Sequence, residues 1–169
     1  MKLKKSTIIP LSLIVLIIIG IILLGRLGNY LDNKIILEGV EGYCDVFNEG
    51  KRMIRIKYDA NGKQYITGVG KGYSGIFDGE QFTIKYLVDN PKSVFVFWDK
   101  PYFSKNYSYE ETECIAISKK LSIIYFEYLV NGKRIERETL FRDHTLDKYN
   151  YKVRYRKENP EIGYLIPKQ

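Results

Sequence analysis

Residues that carry chemistry are scarce in this chain. It has one histidine and two cysteines in 169 residues. That is too few nitrogen and sulfur donors for a closed soft-metal site, and no cofactor is expected. The histidine, His144, stands in Arg142-Asp143-His144-Thr145. A His beside an Asp is half of a catalytic dyad. No serine or cysteine nucleophile motif accompanies it, and a solvated loop histidine is the simpler reading. Acidic residues are absent before Asp32, and sustained helical periodicity is absent after the N-terminal region. A lipobox cysteine is missing too, since the first cysteine is Cys44.

The formal charge of +7 points at first to nucleic acid. Four of the basic residues, Lys2, Lys4, Lys5 and Arg26, flank an apolar segment. Without them 23 basic residues face 20 acidic ones, a surplus of three. A surplus that small does not by itself imply an electrostatic partner.

What the chain does have is an uncharged run of twenty residues, Ser6 to Gly25, built mostly of Ile and Leu. As a helix this run rises about 30 Å, the thickness of a bilayer's hydrocarbon core. A cleaved signal peptide usually has a shorter apolar region that ends at small residues in an A-x-A pattern. Here the run ends Leu-Leu-Gly-Arg-Leu-Gly, so a retained anchor over residues 1–28 is expected, with cleavage as the alternative. The basic residues before the segment place the N-terminus in the cytoplasm and the rest outside the cytoplasmic membrane, in the cell envelope.

Tyrosine is abundant, at 15, and favours half-buried pleated surfaces. A repeat organises the remaining residues. Shifted by seventy positions, Cys44 falls on Cys114, Ile54 on Ile124, Tyr58 on Tyr128, and Asn61-Gly62-Lys63 on Asn131-Gly132-Lys133. One residue is then lost. At a shift of sixty-nine, Phe82, Ile84 and Tyr86 fall on Tyr151, Val153 and Tyr155, Asn90-Pro91 on Asn159-Pro160, and Phe95-Val96-Phe97 on Tyr164-Leu165-Ile166. Asn-Gly is a strong two-residue hairpin signal, because both residues tolerate positive φ. Before it, Ile54, Ile56 and Tyr58 alternate with Arg55 and Lys57, the period of a strand.

The expected fold is therefore all-β after one transmembrane helix. It has two tandem five-stranded, barrel-like units of OB or SH3 type over residues 29–99 and 111–169, joined by an aromatic linker, 100–110. One continuous sandwich is the alternative. In the second unit Ile123 and Tyr125 take positions that face outward in the first, where Met53 and Arg55 stand. An apolar outer face needs cover, so the second unit should pack on the first or on a partner. The single-residue length difference should fall between about Gly68 and Gly79, because a slip inside a strand would turn its apolar side chains outward.

The pattern Y-x-x-N-G-K, then an alternating strand ending in Tyr, then Asn-Pro and a short apolar strand, resembles a family of small β-rich domains of unknown function in bacterial membrane proteins. The resemblance covers each unit almost fully. It implies a bacterial, membrane-associated, β-rich protein and brings no catalytic residues with it.

Four further features invite a functional reading. Gly70-Lys71-Gly72-Tyr73-Ser74-Gly75 matches G-x-G-x-x-G, but a dinucleotide site needs a helix after the motif, and here Phe82 to Tyr86 reads as a strand. Cys44 and Cys114 are buried core residues, a disulfide between units, or surface thiols. Six aromatics stand in the thirteen residues Phe97 to Tyr109, among them Trp98, Tyr102, Phe103, Tyr107 and Tyr109. They form either a recognition patch or the glue between units. Lys152, Arg154 and Arg156, with Lys148 and Lys157, form a basic strand stripe that is either a partner surface or a solvated edge. Together these point to a membrane-anchored, non-enzymatic binding or assembly module, with the membrane, and an envelope protein or an anionic surface, as partners. The alternative is an OB-like barrel that binds single-stranded nucleic acid by stacking bases, or an enzyme. The small positive surplus and the exterior location argue against nucleic acid.

Overall fold

The structure is a computed structural model that describes residues 11–47, 53–70, 72–140 and 147–168. The basic N-terminal residues and the His144 loop lie outside the described residues. One apolar helix, α1 (Leu11–Glu38), precedes ten strands. These are β1 (Val40–Phe47), β2 (Met53–Ala60), β3 (Lys63–Gly70), β4 (Gln81–Tyr86) and β5 (Val94–Pro101), then β6 (Tyr109–Lys120), β7 (Ile123–Val130), β8 (Lys133–Leu140), β9 (Tyr151–Arg156) and β10 (Asn159–Pro167). They form two five-stranded antiparallel sheets, β3-β2-β1-β4-β5 and β10-β9-β6-β7-β8. The second curls into a half-barrel, with β8 approaching β10.

The two sheets have the same strand order once β1–β5 are matched to β6–β10. Their registers match as well. Ile54 faces Val69, Tyr58 faces Tyr65 and Ala60 faces Lys63 in one hairpin. Ile124 faces Thr139, Tyr128 faces Ile135 and Val130 faces Lys133 in the other. Asn61 and Gly62 have φ of 53° and 72°, and Asn131 and Gly132 have 50° and 78°, the positive angles a two-residue hairpin needs. Beyond the hairpins Ile84 pairs with Val96, and Val153 with Leu165, at the shift of sixty-nine. The lost residue thus falls between the end of β3 and the start of β4, where no strand register is disturbed. One departure is a bulge in β6 between Cys114 and Ala116, which has no counterpart in the shorter β1.

The repeated Tyr and Asn-Pro are joined by a hydrogen bond. Tyr58 Oη donates to the carbonyl of Pro91 at 2.6 Å, and Tyr128 Oη donates to the carbonyl of Pro160. Each hydroxyl ties the hairpin to the connection between the last two strands of its unit. Burial pushes the Tyr58 hydroxyl up to about 12, so it stays a donor at any ordinary pH. Replacing Tyr58 or Tyr128 by Phe should cost about 0.5–1.5 kcal/mol each, the worth of one net hydrogen bond. Urea midpoints of the two variants check this, and a response in one unit only would break their equivalence.

The helix departs from expectation. It does not end near residue 28 but runs to Glu38, one residue short of β1. Leu27, Leu31 and Ile35 repeat at intervals of four, and Lys34 reaches Glu38 at 4.0 Å, an i,i+4 pair of the kind that supports helix. Only its last turn meets the body: Ile35 is buried, and Lys85 Nζ donates to the carbonyl of Ile36 at 2.6 Å. A cation at a helix C-terminus satisfies an orphan carbonyl and complements the dipole. Within Leu13–Glu38 an 18-residue stretch has mean hydropathy 2.2 and none of it is buried by the body, so the helix is long and apolar enough to cross a membrane.

The units are not independent. Ile162 and Tyr164 of β10 belong to the first core, packed with Phe82, Ile84 and Tyr73. Leu140 from β8 joins its edge. The second core holds Ile124, Phe126, Tyr128, Tyr151 and Val153. The second unit does pack on the first, but not through the face expected: Ile123 is half-buried and Tyr125 is 40% exposed.

Candidate functional site

The aromatic linker and the basic stripe, read separately in the sequence, meet in the structure. Phe103 stands edge-on to Tyr109 at 5.2 Å and to Tyr164 at 5.6 Å. The Arg154 guanidinium lies over the Phe103 ring at 5.0 Å, and that of Arg156 over Tyr107 at 3.5 Å. Arg156 also donates to the carbonyl of Gly79 in the first unit at 2.9 Å. Trp98 and Tyr102 lie elsewhere. Trp98 is edge-on to Phe82 at 5.2 Å, and Tyr102 stacks on Tyr43 at 4.3 Å with planes 4° apart.

The stripe faces a row of acids on β6. Sheet register sets Glu110, Glu111 and Glu113 opposite Tyr155, Arg154 and Lys152. Arg154 Nε and Nη2 both donate to Glu111 Oε1, at 3.1 and 2.6 Å. Lys152 is 3.9 Å from Glu111, and Lys157 is 3.0 Å from Glu110. The hydrogen bond from Arg154 holds the Glu111 carboxyl below its usual range. Such exposed pairs contribute little to stability, but they balance the charge of the stripe locally. Sequence reasoning named the basic half alone, because only the β6–β9 register brings the acids beside it.

The densest buried polar group lies between the units and was missed. Glu80 is 0% exposed. Its carboxylate accepts from Arg137 Nη2 on β8 and, at 2.9 Å, from the backbone N–H of Phe77. Arg137 Nη1 donates to the carbonyl of Gly75 at 2.8 Å, and the guanidinium lies 4.5 Å from the Phe77 ring. Ser74 Oγ donates to Glu138. Burial pushes the Glu80 carboxyl up, opposed by Arg137 and by the Phe77 N–H. One signal was available. Arg137 sits two residues after Ile135 and opposite Phe126 in the Asn131-Gly132 hairpin, so strand period alone turns it inward.

Other candidate sites have structural explanations. The G-x-G-x-x-G loop is followed by β4, with no helix to meet a phosphate. A Cβ on Gly72 would lie 2.4 Å from the Trp98 ring, and one on Gly75 would lie 2.4 Å from Glu138. These two glycines permit close packing. Cys44 and Cys114 are free, buried thiols in different cores. Burial pushes the Cys44 thiol up to about 12, which leaves it unreactive. An open groove of about 330 Å³ crosses β6–β8, with Ile117, Tyr125, Glu127 and Arg137 in its lining. Among the described residues no three His, Cys, Asp or Glu side chains gather as for a metal ion.

No protein family, no curated protein and no solved structure matches the chain.

Proposed function

We propose that this chain is a membrane-anchored, non-enzymatic binding or assembly module whose β-body stands outside the cytoplasm. The observation that carries the reading is the mounting of the body. The helix that can span a membrane enters β1 through the single residue Gly39 and is held by Ile35 and by Lys85. A duplicated β-body set rigidly on an anchor is a presenting scaffold. The polar groups support this too: the arginines and carboxylates gathered at the junction and the stripe are engaged with one another. The pairing of the stripe with glutamates also leaves little charge for a phosphate backbone.

A reporter fused after Gln169 tests the orientation. A reporter active only outside the cytoplasmic membrane should function there, and one active only in the cytoplasm should not. The reverse result would place the body inside and remove the proposal. Recovery of the cleaved body in the soluble fraction would replace the anchor by a signal peptide.

A further inference from the structure

Each sheet has two edge strands, and three of the four are shielded. β5 lies against the end of α1 and against β8. β8 carries Arg134, Glu136, Arg137 and Glu138, and it abuts the first unit through the buried ion pair. β10 is irregular between Asn159 and Gly163 and sinks Ile162 and Tyr164 into the first core. Among the described residues β3 has none of these protections. Among the described residues it pairs only with β2. It has no charge from Gln64 to Gly70, no proline, and an unbroken register over eight residues. Long, uncharged edges of this kind template pairing with another strand.

We infer that β3 is the seam at which two copies of this chain join, edge to edge, into one continuous ten-stranded sheet. The register specifies the geometry. In a two-residue hairpin the residues flanking the turn form a hydrogen-bonded pair, and such pairs recur at every second residue. Lys63, Tyr65, Thr67 and Val69 therefore bond to β2, while Gln64, Ile66, Gly68 and Gly70 aim their N–H and C=O groups outward. A two-fold axis through Thr67 sets Gln64 opposite Gly70 of the second copy and Ile66 opposite Gly68 of the second copy. Every outward group then has a partner, so the strand is complementary to itself. The side chains fit this register. Ile66 is 61% exposed and Met53 is 60% exposed. Met53 Cε lies over Gly68, 3.1 Å from where a Cβ would stand. The seam brings Ile66 of each copy onto Met53 of the other and covers both.

The inference goes beyond the proposed function by naming one partner, and rests on that reading only for orientation. Two copies anchored in one membrane need the two-fold along the membrane normal, so the strands of the first sheet run along the membrane surface.

Thr67→Cys in the full chain, in native membranes, tests the seam. Residues facing each other in a non-hydrogen-bonded pair have Cα atoms about 4.5 Å apart, within disulfide reach. Mild oxidant or a short bis-maleimide should convert most of this variant to a covalent dimer, and the parent chain should give none. Adding Ile66→Lys, at an exposed position, should cut dimer formation about tenfold or more, with Trp98 fluorescence confirming that the fold is kept. Absence of dimer from Thr67→Cys, an equal yield from Glu136→Cys on β8, or indifference to Ile66→Lys would overturn the inference. Membrane fractionation is read separately. A soluble chain that still cross-links loses the anchor and keeps the seam, and a membrane-bound chain that does not cross-link loses the seam and keeps the anchor.

Discussion

Arg137→Met should destabilise the fold by about 3–5 kcal/mol, the cost of leaving one member of a buried ion pair without the other. Glu80 would retain only the Phe77 N–H among the two donors described above, in a site with no exposure to water. The measurement is urea unfolding of the full chain in detergent, followed by the emission of Trp98. Two controls separate the pair from mere packing. The double variant Glu80→Leu/Arg137→Met should recover much of the loss, because a buried pair replaced by apolar residues of similar volume is often neutral. The deficit of the single variant should also shrink as pH falls. Burial already raises the Glu80 carboxyl, and removing the cation raises it further. A carboxyl whose folded-state value lies above its unfolded value binds protons more tightly when folded, so stability is lost as pH rises through that window and regained as pH falls. A double variant as unstable as the single, with no pH dependence, would mean that the two residues are not coupled.

Ending the chain at Glu158 should unfold the first unit as well as the second. The deletion removes β10, an edge strand of the second sheet, and takes Ile162 and Tyr164 out of the first core. Tyr164 is edge-on to Phe82 at 6.3 Å, and Phe82 in turn packs on Trp98. The emission of Trp98 should therefore shift to that of a solvated indole, although every residue of β1–β5 remains. A gentler variant makes the same point. Ile162 is 1% exposed, so Ile162→Ala should cost about 2–5 kcal/mol and lower the transition seen by Trp98. A truncated chain with native Trp98 emission would show that the first unit folds alone.

These two results depend on the parts of the structure that the sequence did not disclose. The hairpins were legible because their determinants are local. Asn-Gly fixes the turn, alternation fixes the face, and the shift of seventy sets one hairpin's register on the other's. The length of α1 was misjudged because charges at Arg26 and Asp32 end an apolar run without ending a helix; Leu27, Leu31 and Ile35 continue it. The interlock of β10 and the Glu80–Arg137 pair join residues far apart in the chain, and no periodicity encodes which core a strand will enter. The aromatic and basic clusters were each visible as composition. Their contact through Phe103 with Arg154 and Tyr107 with Arg156, and the glutamates that balance it, follow from a register that pairs β6 with β9.

The junction at Gly39 has a mechanical consequence. A flexible tether would let the body tumble and would filter out any motion of its anchor. Here about 13 residues of helix beyond Gly25 rise roughly 20 Å and end clamped to β4. A quarter-turn of the helix in the bilayer would swing β3 and the whole sheet through the same angle. On the proposed anchored reading the chain would act as a crank, the heading of its open edge over the membrane following the rotation of the helix beneath it.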